Sequence, residues 1–291
     1  KMSNIQIVSL MYYKSHISKI VLLVLVSLSF FSCSSHRDIA YDFVKNSKGA
    51  SVAFYVPKEL QKANLRNDFD QESESLDGLD EEQIQDSIDS RVKILNKIDD
   101  DIFLDVMIAS FEETLLDYDI KLEYWETENT KPDSLHWVVD MSQMEIQELV
   151  LYQYASCGDY GNYEIVPFTR INVAAWFELI NDEESSVVFS EQNYDDYISD
   201  CYYRADSANN VLVNVEYHSV DIEGFYDFAV MLGKLYAGYC YDFFMNEYVR
   251  KEMIKKDEEY YENYMYLRYD PYEYYIYSAY DDRFIKLESG R

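Results

Sequence analysis

Ile171-Asn-Val-Ala-Ala-Trp-Phe-Glu-Leu-Ile180, an acidic turn over 181–184, and Ser185-Ser-Val-Val-Phe-Ser-Glu191 read together as a β-hairpin. Working upstream, Lys48-Gly-Ala-Ser-Val-Ala-Phe-Tyr-Val-Pro57 is a first strand, rich in β-branched and aromatic residues and stopped by proline. Ile120-Lys-Leu-Glu-Tyr-Trp125 and Leu135-His-Trp-Val-Val-Asp-Met141 alternate like strands, while 145–154 fits strand or helix equally. Between the first strand and these lie two helical patterns. Ile84, Ile88, Arg91/Val92, Leu95 and Ile98 recur at helical spacing from about Asp80. Asp99-Asp100-Asp101 then supplies the anionic N-terminus of a second helix, with Phe103, Val106/Met107, Phe111 and Leu115 on one stripe.

Downstream of the hairpin, 192–222 is polar apart from the short run Val211-Leu-Val-Asn-Val215. Phe225–Val249 is the clearest helix, with Phe225, Phe228/Ala229, Leu232, Leu235/Tyr236, Tyr239/Cys240 and Phe243 on one face. Gly233, Ala237 and Gly238 would admit another element closely there. This order predicts an α+β fold: a mostly antiparallel sheet with helices packed against it, a long C-terminal amphipathic helix, and a Tyr-rich tail. From Tyr260 to Tyr280, ten of 21 residues are tyrosine.

The N-terminus is an address. Ile20-Val-Leu-Leu-Val-Leu-Val-Ser-Leu-Ser-Phe-Phe31 is apolar and uncharged, and Lys14, His16 and Lys19 precede it. A membrane-spanning helix needs about 20 apolar residues, so the run is too short to span, but it suits an export signal. Met11 heads a more compact signal than Met2. Phe30-Phe31-Ser32-Cys33 resembles a bacterial lipoprotein signal, in which a small residue precedes the acylated cysteine that becomes the mature N-terminus. The resemblance implies lipidation at Cys33 and a protein of the cell envelope, lipid-anchored to the outer membrane and facing the periplasm or the surface. The expected organisation is a signal peptide over 1–32, a tether over 33–47, a single α+β domain over 48–250 and a Tyr-rich acidic tail over 251–291. In an oxidising compartment Cys157 and Cys201, both in loop-like contexts, form the candidate disulfide, and Cys240 reads as a buried free thiol.

Charge narrows the partners. The chain carries a net −30, and without residues 1–32 it has 22 basic and 55 acidic residues, a net of −33. Such a field repels phosphate backbones, so nucleic acid is excluded as a partner. Catalytic constellations are missing from the sequence. Beyond the signal the histidines are His36, His136 and His218, and no Gly-x-Ser-x-Gly elbow, zinc grouping or phosphate-cradling glycine loop occurs. Asp70–Glu82 lacks the glycine spacing of a calcium-binding helix-loop-helix. No cofactor is expected.

The stretch from Ser51 to Glu191 resembles the small α/β domains of envelope lipoproteins, among them the curli secretion channel lipoprotein and the lipoprotein activators of penicillin-binding proteins, and the N-terminal domain of the Tol translocation protein. Val52–Val56, Phe103–Leu116, Ile120–Trp125, Asp133–Met141 and Ile171–Glu191 occupy the places of their strands and helix. The resemblance implies a non-enzymatic accessory, assembly or export role with an envelope protein partner. Two rivals stand beside it. One is a glycan-binding surface lipoprotein, resting on the tyrosines and on Trp125, Trp137 and Trp176. The other is a carboxylate-based hydrolase, for which Glu178 with Asp140 is the pair to examine.

Overall fold

The computed structural model describes residues 35–57, 59–66, 80–124, 137–156, 163–181, 184–205, 211–255 and 266–287. They fall into two compact units: residues up to Lys48 with Asp242–Asp281, and Gly49–Tyr241 with Asp282–Arg291.

The second of these is the larger and is built on one mixed sheet. Strands β4 (Trp137–Ser156), β5 (Tyr163–Asn181) and β6 (Glu184–Asp195) form an antiparallel meander. On the free side of β4 lie two short strands in line, β1 (Ser51–Tyr55) and β2 (Gln61–Asn64), both parallel to it. Strand β3 (Lys121–Tyr124) adds in parallel to β1, and β11 (Ile285–Lys286) closes the other edge on β6. A separate hairpin joins β7 (Tyr197–Ala205) to β8 (Val211–His218).

Strand alternation gives the sheet a covered face. Met141, Met144 and Ile146 of β4, and Ile171, Val173, Ala175, Phe177 and Leu179 of β5, are almost wholly buried. Helix α3 (Asp100–Asp117) and helix α4 (Ile222–Lys255) supply its cover. Phe111 of α3 stacks on Phe54 of β1 at 4.3 Å, and Tyr236 of α4 meets Phe177 edge-on at 5.1 Å. Fully burying such a side chain contributes roughly 1.5–3 kcal/mol. Asp99 caps α3 by accepting from the Ile102 N–H at 3.2 Å. The helices touch where Gly233 lies. A Cβ there would sit 2.2 Å from the Met107 carbonyl oxygen, and beside it Ser110 Oγ donates to Val230 O at 2.8 Å.

Several expectations meet a different chain path. The periodicity from Asp80 predicts one helix through Ile98, yet α2 ends early (Glu81–Asp89) and a single 3-10 turn follows at Leu95–Lys97. The ambiguous 145–154 lies within β4, and the polar 192–222 contains the end of β6 and the whole β7–β8 hairpin. Helix α4 buries more than a stripe, because every residue from Tyr236 to Glu247 is buried.

The smaller unit contains a correction to the tether. Residues Ser35–Asn46 form helix α1, which buries Ile39, Ala40, Phe43 and Val44. Phe43 packs on Tyr248 of α4 at 5.6 Å. Within the tyrosine-rich tail, β9 (Leu267–Asp270) and β10 (Tyr275–Ser278) pair as a hairpin. Two buried polar residues of α4 hold β9. Asp242 accepts from Tyr269 N at 3.0 Å and from Arg268 Nε at 2.8 Å. Asn246 bonds both N and O of Leu267, at 2.9 and 2.7 Å.

Candidate functional site

Two polar arrangements on the large sheet compete for attention, one on each face. On the covered face Glu148 occupies a core position of β4, in phase with Met144, Ile146 and Val150, and its side chain has no exposure. It has four donors: the N–H groups of Lys93 (2.7 Å), Ile94 (3.1 Å) and Leu95 (3.0 Å), and Arg66 Nη1 (3.0 Å). These bonds explain why the helical pattern stops short of Ile98, since the carboxylate takes the N–H groups a continuing helix would use. Arg66 also donates to Thr169 Oγ1 at 3.3 Å. Thr169 leads to a second buried carboxylate, Asp196, which accepts from Thr169 N (2.7 Å), Val220 N (2.5 Å), Lys93 Nζ (3.2 Å) and the Tyr217 hydroxyl.

The electrostatics follow from this geometry. Burial works to raise Asp196, but the bonds from Tyr217, Thr169 and Val220 and the charge of Lys93 outweigh it and hold the carboxyl below its ordinary value. Tyr217 is pushed well above its ordinary value by burial and by the bond to Asp196. Two anions meet two cations, so the network is internally balanced. With Glu148 sealed from solvent, it serves to fasten the 93–95 segment and the end of β8 to the sheet.

The alternate side chains of the same strands form the other face, which is more open: Ala53, Val138, Asn172 and Ala174 are buried there, while Trp176, Glu178, Phe189 and Glu145 keep partial contact with solvent. Rows run across the strands in register: Tyr55, Asp140, Glu178, Val187; then Gln143, Trp176, Phe189; then Gln61, Glu145, Ala174, Glu191; then Ala63, Gln147, Asn172, Asn193. Trp176 is half-buried beside Phe189, with ring centroids 5.0 Å apart. Gln143 lies beside this aromatic pair, acidic side chains (Asp140, Glu178, Glu145, Glu191) stand in the rows on either side, and amides along the face bond their neighbours. Gln143 Nε2 donates to Gln61 Oε1 at 3.0 Å, Gln147 Nε2 to Glu145 Oε1 at 2.9 Å, and Asn172 Nδ2 to Gln147 Oε1 at 3.2 Å. Arg170 clamps Asp195 through two bonds at the end of the face.

The sequence-predicted residues distribute as follows. Asp140 and Glu178 are brought directly opposite each other on β4 and β5, and Ser185 Oγ donates to Glu178. Of the tryptophans, Trp176 lies on the open face, Trp137 is buried, and Trp125 falls outside the described residues, as do His136, Cys157 and Cys33. Cys201 is disulfide-bonded, and Cys240 is a buried cysteine of α4 outside any disulfide. His36 lies in the first turn of α1, and His218 stacks on Tyr197 at 4.7 Å and bonds Ser199 Oγ. Among the described residues no group of three or more His, Cys, Asp or Glu side chains could hold a metal, and no helix is long and apolar enough to cross a membrane. Sequence reading missed the Glu148–Asp196 network. Its one local signal is a glutamate in phase with an apolar strand face.

No family model matches the chain, and no curated protein sequence matches it. Among solved structures it is similar to a protein described as a neuraminyllactose-binding hemagglutinin homolog from Helicobacter pylori. The TM-score is 0.27 at 9% identity, over 71% of this chain and 90% of that one.

Proposed function

We propose that this is a lipoprotein of the bacterial cell envelope, anchored through acyl chains on Cys33, that acts without catalysis by binding a protein partner on the open face of its large sheet. The observation that carries the reading is that face. Half-buried Trp176 and Phe189 sit at its centre, and amides and charged groups surround them, which is the pattern of an aromatic core within a polar rim. The export signal and the cysteine after Ser32 supply the address, and the bonded state of Cys201 suits an oxidising compartment. An accessory or assembly role is also what the resemblance to envelope lipoproteins implies.

Capture from solubilised envelope tests this. The native lipoprotein should retain a protein that is lost from the Trp176→Ala, Phe189→Ala variant, with the melting temperature of the two nearly equal. A partner retained by the variant sinks the assignment of the face. Cells fed labelled palmitate should label the chain, and Cys33→Ala should abolish the label. The same face favours a second reading as a glycan platform, because Trp176 lies beside the amide of Gln143 and between rows bearing the carboxylates of Glu178 and Glu145, groups that can bond hydroxyls. Glycan arrays separate the two: saccharide binding lost with Trp176, and no protein captured, would replace the first reading with the second.

A further inference from the structure

The smaller unit presents an aromatic surface that the open sheet face does not involve. At the tip of the β9–β10 hairpin Tyr272 and Tyr274 are each 72% exposed, and Tyr275 is 48% exposed. The tip is built rather than frayed. Asp270 Oδ1 accepts from the N–H groups of Tyr272 (2.8 Å) and Glu273 (3.0 Å). Tyr274 is held at φ 54°, a left-handed conformation that a bulky residue adopts only when its surroundings impose it, and such backbone strain concentrates at functional positions. Tyr41 of α1 joins the surface, its hydroxyl accepting from Ile276 N at 3.2 Å.

Chain connectivity then fixes where this surface can be. Helix α1 begins at Ser35, so a single residue separates it from Cys33. Two Cα–Cα steps span at most about 7.6 Å. Tyr41 is six residues along the helix, about 9 Å from Ser35. An acyl anchor on Cys33 is thus tied through a packed helix, not a loose tether, to the aromatic surface. Tyrosine rings, apolar in body and polar at the tip, are enriched at the headgroup level of bilayers. Asp270 and Glu273 at the hairpin tip suit a zwitterionic surface better than an anionic one.

We infer that Tyr41 and the Tyr272–Tyr275 tip form a second membrane contact, resting among the headgroups of a zwitterionic bilayer beside the acyl anchor. The inference rests on the lipoprotein reading. The test uses the acylated protein purified from cells and placed in vesicles of phosphatidylethanolamine and phosphatidylcholine, with Tyr272→Trp and, separately, Tyr275→Trp as probes. The emission added by each new tryptophan should shift to the blue, lose intensity to lipids brominated near the top of their chains, and resist aqueous iodide. If mass spectrometry finds Cys33 acylated while both probes stay open to iodide and unquenched by bromolipid, the membrane contact is wrong and the anchor stands. If Cys33 carries no acyl chain, both fail. Protection that appears only in native envelope, and not in pure lipid, assigns the tip to a protein partner and overturns the inference.

Discussion

Glu145 and Glu148 stand three residues apart on β4 and meet opposite surroundings. Glu145 points to the open face and accepts one bond, from Gln147. Glu148 points into the core and accepts four. The same contrast separates Asp196 from Asp140 and Glu178, which lie on the open face. In a chain with 55 acidic residues, carboxylate identity says little. What a carboxylate does is decided by strand phase and by the donors the fold collects around it. On one face acidic groups are structural fasteners, and on the other they stay within reach of solvent.

The largest expected effect tests the fastening side of that contrast. Glu148→Ala leaves Arg66 and three backbone N–H groups without their acceptor, and removing one partner from a buried ion pair typically costs about 3–5 kcal/mol. Urea unfolding should show that loss for Glu148→Ala, whereas Glu145→Ala should stay within about 0.5 kcal/mol of the parent. Equal losses from the two would erase the distinction between the faces.

Next come the helices that cover the inner face. Leu232 has no exposure and Phe228 has 7%, so truncating either to alanine should cost about 2–5 kcal/mol. Gly233→Val should be destabilising too. Its side chain would be driven into the Met107 carbonyl, a backbone atom that cannot swing away, and overpacking of this kind costs about 1–3 kcal/mol. A melting temperature unchanged by Leu232→Ala would mean that this stripe is a docking surface and not core.

A smaller effect depends on pH. Because the carboxyl of Asp196 is held below its ordinary value, its stabilisation is fully present above the unfolded value, near 3.9, and is lost as pH falls through the folded value. Stability of the parent should therefore decline more steeply below about pH 4 than that of Asp196→Asn. Tyr217 carries the opposite sign. It is raised, so its share is present below about pH 10 and fades as pH climbs beyond that value. Parallel acid limbs for parent and Asp196→Asn would remove Asp196 from the network.

Much of this architecture was legible, and the failures have physical causes. Period-two alternation with β-branched and aromatic residues identified the β5–β6 hairpin, and helical spacing located α3 and α4. Over 145–154 the alternation was masked because a core position holds Glu148, whose compensating donors come from residues 66 and 93–95. The break after α2 was hidden for the same reason: Leu95 and Ile98 keep helical spacing, while the N–H groups of 93–95 are taken by a carboxylate distant in sequence. Residues 197–205 carry the polar and tyrosine-rich composition of a loop, yet pair with β8 as a strand. In α1, the apolar pairs Ile39-Ala40 and Phe43-Val44 recur at helical spacing, a signal obscured by the polar run Ser34-Ser35-His36-Arg37 before them. For the candidate site, strand phase alone places Trp176 and Glu178 on one face. Their alignment with Gln143 and Asp140 required the β4–β5 register, including its irregularity at Met141–Gln143.

The smallest expected effect belongs to the open face and separates binding from hydrolysis there. Asp140 and Glu178 are directly opposite in register, and like charges so placed destabilise a sheet by about 0.2–1 kcal/mol. Glu178→Gln removes one charge and keeps an oxygen that can accept from Ser185. Stability at neutral pH should therefore rise by a few tenths of a kcal/mol, roughly the scale of such cross-strand pairs. The gain should shrink as salt screens the pair. A loss of stability instead would mean that the two carboxylates are held together in the native state by a bound cation. That outcome would count against the proposed docking role of the open face and bring the Asp140–Glu178 pair forward as a cation-binding or hydrolytic site. Thermal melts of parent and Glu178→Gln at neutral pH across salt concentrations read the sign directly.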